Sequence, residues 1–206
     1  MHELLNTLNS TAFTLFGADT TWAEVFGFVT GGLCVWYTVK ANVVNFPLSM
    51  VNAIFFMILF FDAQLYADAW LQVVFFTLSA WGWIVWLKFG PNHDKRPIES
   101  APRWLIGCVI LGIGTFTYLF RPVLESHGDP YPTLDALTTG LSLGAQFLLS
   151  LKYLQNWYFW IIADLFYIPL YQAKGLTLTA IIYTVFLGLC LAGITQWKAA
   201  KVVANA

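Results

Sequence analysis

Charge is absent from six long runs of this chain, residues 25–39, 41–61, 69–87, 104–120, 136–151 and 175–197, and a seventh run, 153–172, carries one carboxylate, Asp164. A bilayer core of about 30 Å takes about 20 apolar residues of helix, so each run is a candidate membrane span. The runs are continuously apolar and lack the alternation of short strands that a membrane β-barrel needs. Composition agrees: 59% of residues are hydrophobic and 10% charged, where a soluble domain carries about 25% charged. The spacing predicts helices over 22–39, 45–61, 68–87, 103–120, 134–151, 156–172 and 177–197. Residues 1–18 have no basic n-region of a signal peptide and read as an N-terminal tail or short interfacial helix.

Basic residues set the orientation. If the connection "KFGPNHDKRPIESAPR" faces the cytoplasm, Lys40, Lys88, Lys95, Arg96, Arg103, Lys152, Lys198 and Lys201 all lie inside, with Arg121 and Lys174 outside. That is the positive-inside pattern, and it places the N-terminus out and the C-terminus in.

An internal repeat organises the chain. Shifting the sequence by 111 residues brings Asn45 onto Asn156, Phe55 onto Phe166, Ala69 onto Ala180, Gly82 onto Gly193 and Trp86 onto Trp197, with Glu24 meeting Asp135. Paired Asn, Gly and Trp at one offset are harder to obtain by chance than paired Leu or Phe. Four helices are crossed from the start of one repeat to the start of the other, so both enter the membrane in the same direction. The expected architecture is an all-α polytopic membrane protein, seven transmembrane helices as two parallel three-helix repeats joined by a linker helix. The predicted boundaries are repeat 1 at 19–88, a cytoplasmic loop and linker helix at 89–121, repeat 2 at 122–198 and a cytoplasmic tail at 199–206. Transporters built from such halves bind substrate near the midplane.

Several functions lack their residues. Cys34, Cys108 and Cys190 fall on three different spans, and His2, His93 and His127 lie in termini or loops, so neither a disulfide framework nor a metal site is expected. No Ser-His-Asp set or phosphate-binding glycine loop is present, which argues against an enzyme and against nucleotide-driven pumping. A net charge of −1 without a basic soluble segment gives no footing for nucleic acid, and no cofactor is expected.

The stretches "WAEVFGF", "NFPLSMVNAIFF", "AQLYADAWLQVVFF", "GWIVW" and "LKYLQNWYFWIIADLFY" together resemble the PnuC family of nicotinamide riboside transporters over residues 22–198. The resemblance implies a bacterial inner-membrane facilitator with a 3+1+3 helix layout similar to sugar-transporting SWEET proteins. It also implies a homotrimer, with nicotinamide riboside as substrate and a cytoplasmic riboside kinase that phosphorylates and so traps it. A thiamine-type vitamin transporter of the same family is the rival reading, since thiamine is also an aromatic cation.

The residues can also be read by their own chemistry. Trp157, Trp160, Asp164, Tyr167 and Tyr171 recur at three- and four-residue steps and form an aromatic ladder around one acceptor. A carboxylate at the centre of a membrane helix costs about 2.5 to 3.5 kcal/mol, so by default it faces a cavity or a partner. No lysine or arginine is predicted at its depth. A pyridinium would suit an anion flanked by aromatic faces, cation–π contact contributing about 0.5 to 2 kcal/mol. The candidate substrate-binding set is Asn52, Gln72, Ser142, Gln146, Asn156, Trp157, Trp160, Asp164 and Tyr183. Each has a plainer alternative. Asn and Gln can be interhelical glue worth about 0.6 kcal/mol, Asn156 can be an N-cap, and Asp164 can be a protonated acid bonded to a neighbouring helix. Trp22, Trp104 and Trp197 read as interfacial belt anchors. Gln72 and Ser79 are expected to share a face with Trp83 and Trp86, and Pro169 to be a candidate kink.

Overall fold

The computed structural model describes residues 7–8, 10–15, 18–62, 66–88, 96–173 and 177–204. Its helices are α1 Trp22–Val39, α2 Asn45–Asp62, α3 Tyr66–Lys88, α4 Arg103–Ser126, α5 Pro132–Ser150, α6 Asn156–Ala173 and α7 Thr177–Ala204. The protein is an all-α polytopic membrane protein. The described part of the N-terminal segment departs from the tail or interfacial helix expected of residues 1–18. Its strand β1, Thr11–Leu15, pairs antiparallel with β2, Ala18–Thr21, as a short ribbon. Its alternation of Thr with Phe and Leu suits a strand better than a helix.

Five of the seven helices start where the charge-free runs predicted, and the misses are mostly at their far ends. Helix α4 continues from the predicted residue 120 to Ser126, through Pro122, and α7 continues from 197 to Ala204. Charged residues end an apolar run, but Arg121, Glu125, Lys198 and Lys201 are all good helix formers and do not end a helix. Among the described residues, three segments are long and apolar enough to cross a membrane by hydropathy alone: 69–88, 103–126 and 180–202. Helix α5 falls short because Thr138, Ser142, Gln146 and Ser150 recur every four residues along one buried stripe. Its polarity faces protein rather than lipid. The outward faces are apolar, as on α4, where Trp104, Leu111 and Tyr118 are about 70% exposed or more.

The chain divides into two compact units, residues 1–84 and 85–206. In the first, a capping box starts α1. The Thr21 hydroxyl accepts from the Glu24 amide at 3.2 Å, and the Thr21 amide donates to the Glu24 carboxylate at 2.7 Å. Helix α2 closes on α1 where Gly27 lies under Phe56, so near that a Cβ there would meet the ring at 2.9 Å. Ser49 on α2 and Ser79 on α3 share a hydroxyl hydrogen bond of 2.8 Å.

In the second unit α4 packs on α5, α5 on α6 and α6 on α7. Ala101, Ile113, Leu141, Ala145, Leu148, Phe159 and Ala163 form its core. Residues 96–101 lie as a strap against the turn between α5 and α6. Glu99 bridges Tyr153 in parallel, with the Glu99 amide donating to Lys152 O at 3.3 Å and the Leu154 amide to Glu99 O at 2.9 Å. The Ala101 amide donates to the Gln155 side chain at 2.8 Å, Arg96 lies over the Tyr153 ring, and Lys201 of α7 donates to the Ser100 hydroxyl.

The α1–α2 and α5–α6 turns are built alike, at the offset of 111 residues. Among the described residues, Ala41 and Lys152 are the non-glycine residues with positive φ, at 49° and 56°. The Ala41 amide donates to Thr38 O and the Lys152 amide to Leu149 O; the next amides, of Asn42 and Tyr153, donate to Tyr37 O and Leu148 O. A left-handed residue costs a non-glycine side chain about 1 kcal/mol or more. The two turns thus share one hydrogen-bond pattern at equivalent places.

Candidate functional site

Within α6, the residues of the expected aromatic ladder divide between two seams. Residues seven apart on a helix return to nearly the same direction, whereas residues three apart differ by about 60°. Trp157, Asp164 and Tyr171 form one seam and meet α7; Trp160 lies on the other and packs against the α4–α5–α6 core, while Tyr167 touches both, packing on that core and lying 4.6 Å from Tyr183 of α7. The seam toward α7 makes three rungs with residues also seven apart on that antiparallel helix. Tyr171 stacks on Tyr183 with centroids 5.1 Å apart, the Cys190 thiol donates to Asp164 Oδ2 at 3.5 Å, and Trp157 meets Trp197 edge to face at 5.5 Å. Small residues allow the close approach at the last rung. A Cβ on Gly193 would lie 2.5 Å from the Trp157 indole.

Asp164 is therefore enclosed, at 3% exposure, between an aromatic rung on either side. Among the described residues its polar contact is a thiol, a weak donor, and the ion pairs Arg96–Glu99 and Arg121–Glu125 involve other carboxylates. A charge placed next to the Tyr end of this seam would find an acid with no cationic competitor.

Tyr183 also lies 4.6 Å from the Tyr167 ring, and Tyr167 lies 5.5 Å from Tyr171, so three phenols converge from the two helices. Ser142 on α5 reaches the Tyr167 hydroxyl at 3.3 Å. Gln146, one turn along, is buried on the same stripe. The second unit thus brings Ser142, Asp164 and Tyr183 together with Tyr167 and Tyr171. Trp160 lies half-buried on the core side of α6, and Trp157 is closed off against Gly193 and Trp197.

Asn156 does not cap its helix with its oxygen. Its amide nitrogen donates back to Tyr153 O at 2.7 Å, and its Oδ1 is buried without a partner among the described residues. Asn45 repeats this in the first unit, donating to Asn42 O at 2.7 Å and leaving Oδ1 buried and unpaired. Asn45 was absent from the sequence-derived set, although its alignment with Asn156 was the signal that could have placed it there. Also in the first unit, Asn52 donates to Gly27 O at 2.6 Å and so ties α2 to α1, while Gln72 is half-buried on α3.

Two tryptophan assignments change. Trp22 and Trp104 are exposed, as belt anchors are, but Trp197 is 0% exposed, sealed between Trp86 and Trp157. Its neighbour Lys198 continues the helix past the apolar run, so Trp197 is not at a helix end. Trp86 and Ser79 are both buried and sit two turns apart, whereas Trp83 is exposed, so the expected shared face of Trp83 with Trp86 does not form. The Trp86 indole donates to Leu149 O at 3.0 Å with the Lys152 ammonium 4.4 Å above its ring.

Residues 21–199 match the family described as nicotinamide mononucleotide transporters. The nicotinamide riboside transporter PnuC of Escherichia coli (strain K12) is 27% identical over 208 residues, covering 88% of this chain and 87% of that protein. The riboflavin/roseoflavin transporter RibM of Streptomyces davaonensis is 23% identical, covering 94% of this chain and 92% of its own. The crystal structure of the vitamin B3 transporter PnuC matches the fold with a TM-score of 0.70 at 22% identity, over 87% of this chain and 82% of that one. A family match across nearly the whole membrane domain, carried on a fold shared with a solved member, makes this chain a membrane transporter of the PnuC family.

Proposed function

We propose that the chain carries nicotinamide riboside across the bacterial inner membrane by facilitated diffusion with alternating access, a cytoplasmic riboside kinase trapping the product. The observation that carries this reading is Asp164, an acid with no cationic partner among the described residues, flanked by tyrosines. An aromatic cation is the ligand such a pairing favours, and the substrate named for the Escherichia coli relative is one. RibM is named for flavins, whose neutral isoalloxazine gains nothing from a buried anion. Thiamine, a cation, remains the second reading on the same ground. Ser142, Gln146, Asn52, Gln72, Asn156, Trp157, Trp160, Asp164 and Tyr183 are the proposed substrate contacts, the three-helix repeats 19–88 and 122–198 are the proposed moving halves, and a homotrimer is the proposed assembly.

Uptake into liposomes holding the purified chain tests this. Labelled nicotinamide riboside is expected to equilibrate without a proton or sodium gradient, with thiamine and riboflavin competing poorly. Concentrative uptake driven by either gradient rules out a uniporter, and preferred uptake of riboflavin rules out the substrate.

Orientation has its own test. With the N-terminus out and the C-terminus in, a cysteine introduced at Asp129 is labelled by an impermeant reagent from outside intact cells, and one introduced at Glu99 only after lysis. The reverse pattern inverts the topology.

A further inference from the structure

The half-buried end of the α6–α7 seam presents three phenol rings, from Tyr167, Tyr171 and Tyr183, with mutual centroid distances of 5.5, 4.6 and 5.1 Å. Such a cluster could be ordinary packing, but three features separate it from that. Leu, Ile or Phe would fill the same space without bringing hydroxyls into a helix interface, where each must find a partner. One hydroxyl here has such a partner: the Tyr167 and Ser142 hydroxyls share a hydrogen bond of 3.3 Å. Asp164 lies one turn from Tyr167 along α6 and seven residues from Tyr171, enclosed behind the rings and facing α7. Electron-rich ring faces backed by a carboxylate are the arrangement that attracts organic cations, because ring quadrupole and anion act in the same direction and neither is diluted by water.

We propose that Tyr167, Tyr171 and Tyr183 form an aromatic collar in front of Asp164 that selects ring cations over neutral rings of the same shape. The collar deepens the transport assignment above and rests on it for the identity of the cation, though not for the preference itself. Tyr171 and Tyr183 supply ring faces from opposite helices. Tyr167 is the positioning member, fixed by Ser142 from α5, and it holds the other two rings against each other. Asp164 supplies the charge without having to reach the surface. A flavin, which is neutral, gains no such advantage.

The test is the ratio of affinities for nicotinamide riboside and its uncharged 1,4-dihydro form, measured by calorimetry on the full chain in detergent. The wild-type ratio favours the cation. Tyr171→Leu and Tyr183→Leu are each expected to lower it about five- to tenfold, the order of one cation–π contact, and Tyr171→Phe, which keeps the ring, to hold it. Should the leucine variants not fold, phenylalanines of increasing fluorination at position 171 keep the shape while draining the ring face. Cation affinity then falls stepwise while dihydro affinity stays level. Equal losses for both ligands, or a ratio unmoved by leucine and by fluorination, overturn the collar. If the wild-type chain ignores the riboside, the transport assignment fails by itself, and the same ratio is read with thiamine, or with N-methylnicotinamide against nicotinamide. A wild-type chain that prefers no cation in any pair overturns the collar too.

Discussion

Gly193→Ala is expected to destabilise the second unit by about 1 to 3 kcal/mol, the usual cost of overpacking a tight interior. The added methyl would lie 2.5 Å from the Trp157 indole, and a rigid ring at 1% exposure, braced by Trp197, has nowhere to retreat. Either the ring tilts off its favoured rotamer or α6 and α7 separate, which strains the Asp164–Cys190 rung one turn away. Thermal unfolding of purified protein measures the loss. Gly188 on the same helix is the control, since a Cβ there meets nothing within 4 Å. Gly188→Ala is expected to leave the melting temperature level or raise it slightly, because alanine is the better helix former by about 1 kcal/mol. Adding Trp157→Leu to Gly193→Ala is expected to recover part of the loss, which would show as non-additivity of contacting residues. Equal melting temperatures for the wild type and Gly193→Ala would mean that α6 and α7 pack less closely than described.

Asp164→Asn separates a charged acid from a protonated one. The amide keeps the shape and can still accept from Cys190, so the rung survives, but attraction for a cation is lost. If Asp164 is charged, affinity for nicotinamide riboside falls on the order of tenfold or more, about 1.4 kcal/mol or above, while the uncharged dihydro form changes little. If Asp164 is instead a protonated acid holding α6 to α7, both ligands are unaffected. Equal large losses for both would indicate damaged packing and would remove Asp164 from the site. The four measurements form a cycle whose double difference isolates the charge term.

Much of this fold is readable from charge placement. The run boundaries at Asn45, Arg103 and Asn156 and the 111-residue offset all follow from residue identity and spacing. What the sequence hides is angular and local. A ladder of three- and four-residue steps on α6 reads as one face, yet Trp157 and Trp160 differ by about 60° around the helix. In a bundle where α6 touches α5 on one side and α7 on the other, that angle is enough to send them to different neighbours. The seven-residue spacing of Tyr183, Cys190 and Trp197 was visible, but matching it to Trp157, Asp164 and Tyr171 requires knowing that α6 and α7 run antiparallel in contact. The paired left-handed residues were illegible because neither Ala41 nor Lys152 is a glycine, the usual mark of positive φ. Trp197 reads as a belt anchor from sequence because it adjoins Lys198, but closeness to a charge along the chain is not closeness to the membrane surface when the helix runs on to Ala204.

The strap at residues 96–101 also orders events in time. Its amides and carbonyls close on Lys152, Leu154 and Gln155, residues that leave the ribosome some fifty positions later. At about 5 to 20 residues per second, that is an interval of roughly 3 to 10 s in which the strap exists and its partner does not. Arg96 and Glu99 spend those seconds hydrated, and Tyr153 cannot yet offer Arg96 its ring. Helices α4 and α5 therefore enter the bilayer before the strap is fastened to the turn that follows them, and a stall in translation between Ser100 and Tyr153 would leave the strap held only through the Arg96 amide, which donates to Trp86 O at 3.1 Å.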